Sequence, residues 1–293
     1  MRIFVTGASG WIGSAVVPEL ISAGHQVLGL ARSDASAKTV ADMGAEVLRG
    51  DLDDTDALRA GALDSDGVIH LAFVVPSVTE AATRTDAAAI GTFTTALTDS
   101  GKPLVISGAT LVTPGRPATE RDELVAAGPI AARIATMQAG LAAKDRGVRT
   151  CLVMLPRSVH GQGERHGFIP QLITAARTKG VSGYIGDGAT RWPAVHVKDA
   201  ARLYRLAVEQ APAGAVLNAV GDEGVAIRAI AEAIGRQLDL PARSLPAEDF
   251  GGMLVRLLST DMPASSTLTQ DLLSWKPTHP GLIEDIEQGH YFT

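Results

Sequence analysis

Along the first half of the chain, short apolar runs alternate with longer stretches in which apolar residues recur at helical spacing. Ile3 to Val5 is the first run. It breaks into Gly7, Gly10 and Gly13, and helical spacing follows in W-I-G-S-A-V-V-P-E-L-I-S-A-G. Gln26 to Ala31 predicts a second strand, Ala35 to Met43 a short helix stopped at Gly44, Glu46 to Arg49 a third strand and Val68 to Ala72 a fourth. An Ala/Thr-rich helix is predicted from near Thr79 to Ser100, closed by Gly101-Lys102-Pro103, with a fifth strand over Leu104 to Ser107. After a loop from Thr113 to about Gly128, Pro129 opens a second Ala-rich helix that ends near Gly147, and Val148 to Leu155 forms a sixth strand. Such alternation predicts an α/β fold: a doubly wound parallel sheet with right-handed crossovers and ligand at the carboxyl ends of its strands.

After Pro156 the pattern loosens. His160 to Arg165 reads as a polar loop, Phe168 to Lys179 as a helix, Gly183 to Gly188 as a short strand and turn, and Trp192 to Val197 as a strand. Asp199 is expected to cap a helix running to about Gln210, with a strand at Val216 to Val220 and an amphipathic helix at Ile227 to Leu240 beyond it. The expected division is residues 1–155 plus about 190–220 for the nucleotide-binding domain, and about 156–189 plus 221–293 for a smaller substrate lobe.

Composition narrows the function classes. The chain has 293 residues, 46% hydrophobic and 20% charged, which suits a folded domain with a sizeable core. A net charge of -6 without clustered Lys or Arg argues against nucleic acid as partner. Cys151 is the only cysteine, so no intrachain disulfide forms; it lies in the apolar run Thr150 to Leu155 and reads as a buried strand thiol. No secretory signal pattern and no membrane-length apolar run are read, and a cytoplasmic location is expected. The seven histidines show no metal-like spacing, so no metal is expected.

The glycine stretch carries the chemistry. Gly7 permits a sharp turn, Gly10 leaves room for a phosphate, and Gly13 lets the helix pack close to the sheet. The helix start then aims N–H groups and a partial positive charge at a pyrophosphate. A dinucleotide fold preferring NAD ends its second strand with an acidic residue. Here the strand ends Leu30-Ala31-Arg32-Ser33. Arg32 can grip a 2′-phosphate bidentately and Ser33 can add a hydroxyl, so NADP(H) is expected over NAD(H).

These residues resemble the extended short-chain dehydrogenase/reductase family, the branch of NAD-dependent epimerases/dehydratases with a Rossmann sheet. Thr6-Gly7-Ala8-Ser9-Gly10-Trp11-Ile12-Gly13 is similar to its T-G-x-x-G-x-x-G loop. Asp51-Leu52 is similar to the pair that holds the adenine, and His70-Leu71-Ala72 to the end of the fourth strand, with Phe73 following. Leu155-Pro156 with Val159-His160-Gly161 is similar to the stretch beside the nicotinamide, and Trp192 to Ala201 to a V-H-V-x-D-x-A segment. The resemblance implies cofactor contacts from Gly7, Ser9, Gly10, Trp11, Ile12, Gly13, Arg32, Ser33, Asp51, Leu52, Leu71, Ala72, Phe73, Ser107, Pro156 and Val159.

The family's Tyr-x-x-x-Lys pair is missing. The tyrosines are Tyr184, Tyr204 and Tyr291, and none has Lys four residues later. By register the Tyr slot is Arg133, the Lys slot Met137, and the substrate-polarising Ser falls near Gly108, beside Ser107 and Thr110. A guanidinium stays protonated, so Arg133 can stabilise negative charge but cannot serve as the acid. Thr110, Arg133 and His160 are the catalytic candidates, with His70 and His196 read as structural. Tyr184 and Trp192 are expected to line or support the substrate lobe.

The expected function is NADP(H)-dependent hydride transfer to or from a small carbonyl or hydroxyl compound. A non-catalytic NADP(H)-binding sensor or scaffold and a nucleotide-sugar epimerase/dehydratase stay open beside it. The two Ala-rich helices would suit pairing in a homodimer, and burial within one subunit explains the same pattern.

Overall fold

The computed structural model describes residues 1–73, 79–126 and 131–293. Pro129, expected to open a helix, lies outside these residues. Seven parallel strands form the central sheet: β1 (Arg2–Thr6), β2 (Gln26–Ala31), β3 (Glu46–Arg49), β4 (Gly67–His70), β5 (Pro103–Ala109), β6 (Arg149–Leu155) and β10 (Ala215–Asn218), in the order β10-β6-β5-β4-β1-β2-β3. The order reverses beside β1, between β2 and β4. A crevice therefore opens there at the carboxyl ends of the strands.

The strands are apolar on both sides because helices cover both faces. Ile3, Val5, Val105, Cys151 and Val153 point to one face, where Val16, Val17 and Leu20 of α1 (Gly13–Ser22) and Leu203, Tyr204 and Ala207 of α7 (Val197–Gln210) bury them. Their alternates Phe4, Leu104, Ile106, Leu152 and Met154 meet Leu58 of α3 (Thr55–Leu63), Phe93 of α4 (Glu80–Ala96) and Ile134 and Met137 of α5 (Ala131–Leu141). The period of two along each strand thus builds two cores from one sheet. Burial pushes the Cys151 thiol up to about 12, as suits an inert core position.

Helix α3 has no counterpart among the elements read from the sequence. It follows the acidic stretch Asp51 to Asp54, and Asp54 caps it by accepting a hydrogen bond from the Ala57 N–H at 2.9 Å. The expected long helix ending near Gly147 is instead α5 followed by a 3-10 turn over Ala142–Arg146, stopped by Gly147 at φ 71°.

A smaller lobe has its own core of Ile169, Ile173, Trp192, Ile230, Ile234 and Leu258. It contains a three-stranded sheet of β7 (Ser158–His160), β9 (Arg191–His196) and β11 (Asp222–Ala226), in the order β11-β9-β7. Residues 191–196 therefore pair in the small sheet and not in the central one. Helices α6 (Phe168–Lys179) and α8 (Ile227–Leu238) pack on this lobe, together with β8 (Ser182–Tyr184) and β12 (Ala242–Ser244).

Asp199 does not cap α7. His196 occupies the N-cap position, its Nδ1 accepting from the Lys198 N–H at 3.2 Å. Asp199 is buried and accepts the Thr278 and His279 N–H groups at 3.0 and 2.9 Å, so it ties the C-terminal segment to the helix. Burial raises the pKa of this carboxyl, but hydrogen bonds from His279 and Thr278 outweigh it and hold the group below its ordinary value.

Candidate functional site

At the end of β1 the chain turns back on itself. Gly7 has φ 67°, and a Cβ there would lie 2.8 Å from the Ala72 nitrogen. A Cβ on Gly13 would lie 2.2 Å from the Gly7 carbonyl oxygen. Both positions exclude any side chain. Gly10 differs: its N–H closes the turn on the Gly7 carbonyl at 2.9 Å, and the neighbour its Cβ would meet is that same oxygen, at 3.2 Å. The other side of Gly10 is exposed. Helix α1 then starts with no side-chain cap on its first N–H groups. The Ser14, Ala15 and Val16 N–H groups donate to the Gly10 and Ile12 carbonyls, so the side-chain-free floor at Gly10 and the backbone of Trp11 to Gly13 leading into the helix are what fit a diphosphate.

The rim of this cradle comes from the carboxyl ends of β2, β3 and β4. Arg32 follows β2 directly, is exposed, and has no ion pair among the described residues. Ser33 is engaged in a capping box with Ser36 at the start of α2 (Asp34–Asp42), which occupies the hydroxyl expected to face a phosphate. Asp51 is exposed and accepts the Asp53 N–H at 3.0 Å, and Leu52 packs against the sheet core. The Leu71 N–H donates to the Thr6 carbonyl and the Ala72 N–H to Thr6 Oγ1, each at 3.3 Å, so the end of β4 is laced to the glycine turn.

A polar chain continues from there into the sheet. Thr6 Oγ1 and His70 Nδ1 share a hydrogen bond of 2.7 Å, and His70 Nε2 meets Asp86 Oδ1 at 3.2 Å. Asp86 Oδ2 faces Arg133 Nη1 at 3.4 Å, and Arg133 Nη2 donates to the Ser107 carbonyl at 3.1 Å. The Phe73 ring lies 3.5 Å from the guanidinium carbon. Burial pushes the Arg133 pKa down while Asp86 opposes the shift, and the group remains a cation. Ser107 Oγ donates to the His70 carbonyl and accepts from the Tyr204 hydroxyl, both at 2.8 Å. Tyr204 is wholly buried beneath the sheet, and burial raises its pKa. Thr110 is 6% exposed, and its Oγ1 has no hydrogen-bond partner among the described residues. Gly108 and Met137 face one another: a Cβ on Gly108 would meet the sulfurs of Met154 and Met137 at 2.5 and 2.7 Å, so a side chain at 108 would have to displace both methionines.

On the second-lobe side, Trp11 Nε1 donates to the Val159 carbonyl at 2.7 Å, tying the glycine turn to β7. His160 is fully buried, with Nδ1 on Asp285 Oδ2 at 2.9 Å. It belongs to a buried network, and its Nε2 has no hydrogen-bond partner among the described residues. Trp192 is also fully buried, with Nε1 on the Leu257 carbonyl at 3.1 Å, so it supports the lobe from its core. Tyr184 lies in β8 with Arg228 5.9 Å from its ring. Burial drives His196 down to about 4, helped by neighbouring His160, which keeps it neutral. Among the described residues no group of three His, Cys, Asp or Glu side chains could hold a metal ion, and no helix is long and apolar enough to cross a membrane.

Residues 3–219 match the model of the NAD dependent epimerase/dehydratase family. The chain belongs to that family. It is 43% identical over its whole length to an uncharacterized protein of Schizosaccharomyces pombe, covering 100% of that protein. It is 30% identical to a 4-hydroxy-2-methyl-3-oxo-4-farnesyl-3,4-dihydroquinoline-1-oxide ketoreductase of Stigmatella aurantiaca, over 74% of this chain and 67% of that one. In fold it is similar to dTDP-glucose 4,6-dehydratase from Bacillus anthracis in complex with NAD, with a TM-score of 0.78 at 16% identity, covering 99% and 95% of the two chains.

Within this epimerase/dehydratase scaffold, sequence reasoning missed two residues of the polar chain and its surroundings. Asp86 sits inside an Ala/Thr-rich helix, where no spacing singles it out; it is buried at 4% exposure, against His70 and Arg133. Glu164, read as part of a polar loop, is buried beside Tyr291, whose hydroxyl donates to Oε2 at 2.7 Å.

Proposed function

We propose that this protein is an NADP(H)-dependent carbonyl reductase or alcohol dehydrogenase of the epimerase/dehydratase family. The observation that carries the reading is the cradle at Gly7, Gly10 and Gly13, where two positions admit no Cβ and the third has an open side at the entry to α1. The similarity to a ketoreductase supports reduction of a carbonyl. A nicotinamide held there would supply or accept the hydride. Arg32, exposed and unpaired beyond β2, supports the choice of the 2′-phosphorylated cofactor.

The chain's own residues would then do the following. Gly10 and the backbone amides of Trp11 to Gly13 leading into α1 hold the diphosphate, and Pro156 and Val159 border the nicotinamide end. Arg133, fixed by Asp86 and the Ser107 carbonyl, presents a permanent positive charge beside the carbonyl oxygen and stabilises the negative charge that grows there. Because a guanidinium does not release its proton, the proton on the product oxygen comes from water. Tyr204 donates to Ser107 from beneath the sheet and orients it.

The test is NADPH oxidation over a panel of ketones and aldehydes beside an NADPH and NADH binding titration. Turnover with NADPH, lost in Arg133→Ala at unchanged NADPH affinity, supports the reading. Tight binding with no turnover across the panel favours a non-catalytic NADP(H) sensor, a role that suits the Asp86–Arg133 ion pair in place of a proton donor.

A further inference from the structure

Among the described residues, Arg157 is a mostly buried guanidinium with no oxygen acceptor. It lies two residues beyond β6 and two before Val159, where Trp11 ties the glycine turn to the second lobe. Its Nε and Nη2 atoms meet the sulfur of Met262 at 3.1 and 2.7 Å, and its guanidinium carbon lies 5.6 Å from the centre of the Phe168 ring. A thioether is a weak acceptor and a ring face an incomplete one. The residues outside the described set, 74–78 and 127–130, include no acid.

Two other partly buried arginines have oxygen partners. Arg133 faces Asp86, and Arg149 donates to the carbonyls of Ala211 and Val208 at 3.0 and 2.7 Å. Arg157 has no oxygen acceptor among the described residues, and burial pushes its pKa down to about 10. Thr110, the residue after the neighbouring strand β5, supplies an independent sign. Its N–H donates to the Leu155 carbonyl at 2.9 Å, just before Pro156 and Arg157, while its buried hydroxyl has no partner among the described residues. A guanidinium with only a thioether acceptor just beyond β6, and an unpartnered buried hydroxyl just beyond the neighbouring β5, leave donors that a ligand can satisfy.

We propose that Arg157 is the specificity residue of the substrate site and binds a carboxylate, so that the substrate is a carbonyl compound bearing one carboxylate group. This rests on the oxidoreductase reading above. A single guanidinium flanked by Met262 and Phe168 matches one planar carboxylate on an otherwise apolar body. A nucleotide diphosphate would bring two phosphate charges to this one cation.

The experiment compares matched 2-oxo and 3-oxo acids with their methyl esters, using the NADPH-loaded protein. The wild type is expected to prefer the acids in kcat/KM. In Arg157→Leu, which puts an apolar chain between Met262 and Phe168, the acid-to-ester ratio is expected to fall about 100-fold, mainly through KM, and Arg157→Lys recovers part of it. A ratio within about 3-fold of wild type in Arg157→Leu overturns the proposal.

If neither acids nor esters oxidise NADPH, the oxidoreductase reading fails and the carboxylate site is judged by binding alone. Butyrate must then raise the melting temperature of the NADPH-loaded wild type and not of Arg157→Leu; no such difference overturns it. Propylphosphonate binding about 10-fold tighter than butyrate would overturn the choice of a carboxylate over a phosphate.

Discussion

The fold raises the pKa of Glu164, and replacing it with Gln should remove a defined piece of pH dependence. Burial raises its pKa from 4.5 to about 7; the hydrogen bond from Tyr291 opposes the shift and the nearby Asp285 carboxylate adds to it. Between these values the folded protein keeps a proton that the unfolded chain releases. Stability therefore falls as pH rises through this window, and is flat with respect to this group below the unfolded value and above the folded one. A shift of about 2.5 units corresponds to roughly 3 kcal/mol, with a steepest slope of about 1.4 kcal/mol per pH unit. Glu164→Gln keeps an acceptor for the Tyr291 hydroxyl and has no charge to bury. Urea unfolding of both proteins at pH steps from 4.5 to 8 measures the difference. The histidines of the lobe are common to both proteins, so they drop out of it. The variant should gain on the wild type progressively as pH rises and level off above 7. Parallel curves across the window would refute the reasoning.

Other consequences are as direct. Gly10→Ala should unfold within about 1 kcal/mol of wild type, since its Cβ meets Gly7 O at 3.2 Å, yet weaken NADPH binding at least ~10-fold by filling the phosphate space; urea midpoints and fluorescence titration check both. Arg32→Asp should lower the NADPH-over-NADH binding preference by about 10- to 100-fold, read by the same titration. Asp86→Ala leaves the Arg133 guanidinium buried without its carboxylate and should cost about 3 kcal/mol in urea unfolding.

The central sheet was legible because its strands obey a simple rule. Residues such as Gln26 to Ala31 and Glu46 to Arg49 are short apolar-rich runs bounded by helical spacing, and both strands have the bounds the sequence predicts. Helix α3 was hidden because its start is a run of acids that also suits a loop, and only the Asp54 cap distinguishes the two. The three-residue strand β7 carries too little periodicity to stand out from a loop. The glycine cradle announced itself by spacing, since steric exclusion at Gly7 and Gly13 is local to the turn. Asp86, Glu164 and Arg157 did not, because their significance lies in which distant groups meet them. An unpaired buried charge is a property of the packed molecule and leaves no pattern in the chain.

The bond from the Trp11 indole to the Val159 carbonyl has a practical corollary. Of the three tryptophans, Trp192 and Trp275 are fully enclosed, whereas Trp11 is partly open at the crevice. Iodide added to the solvent can therefore reach one emitter and spare two. The protein carries an optical reporter at the mouth of its cofactor cradle, and shielding of that one emitter by a dinucleotide can be followed without adding any label.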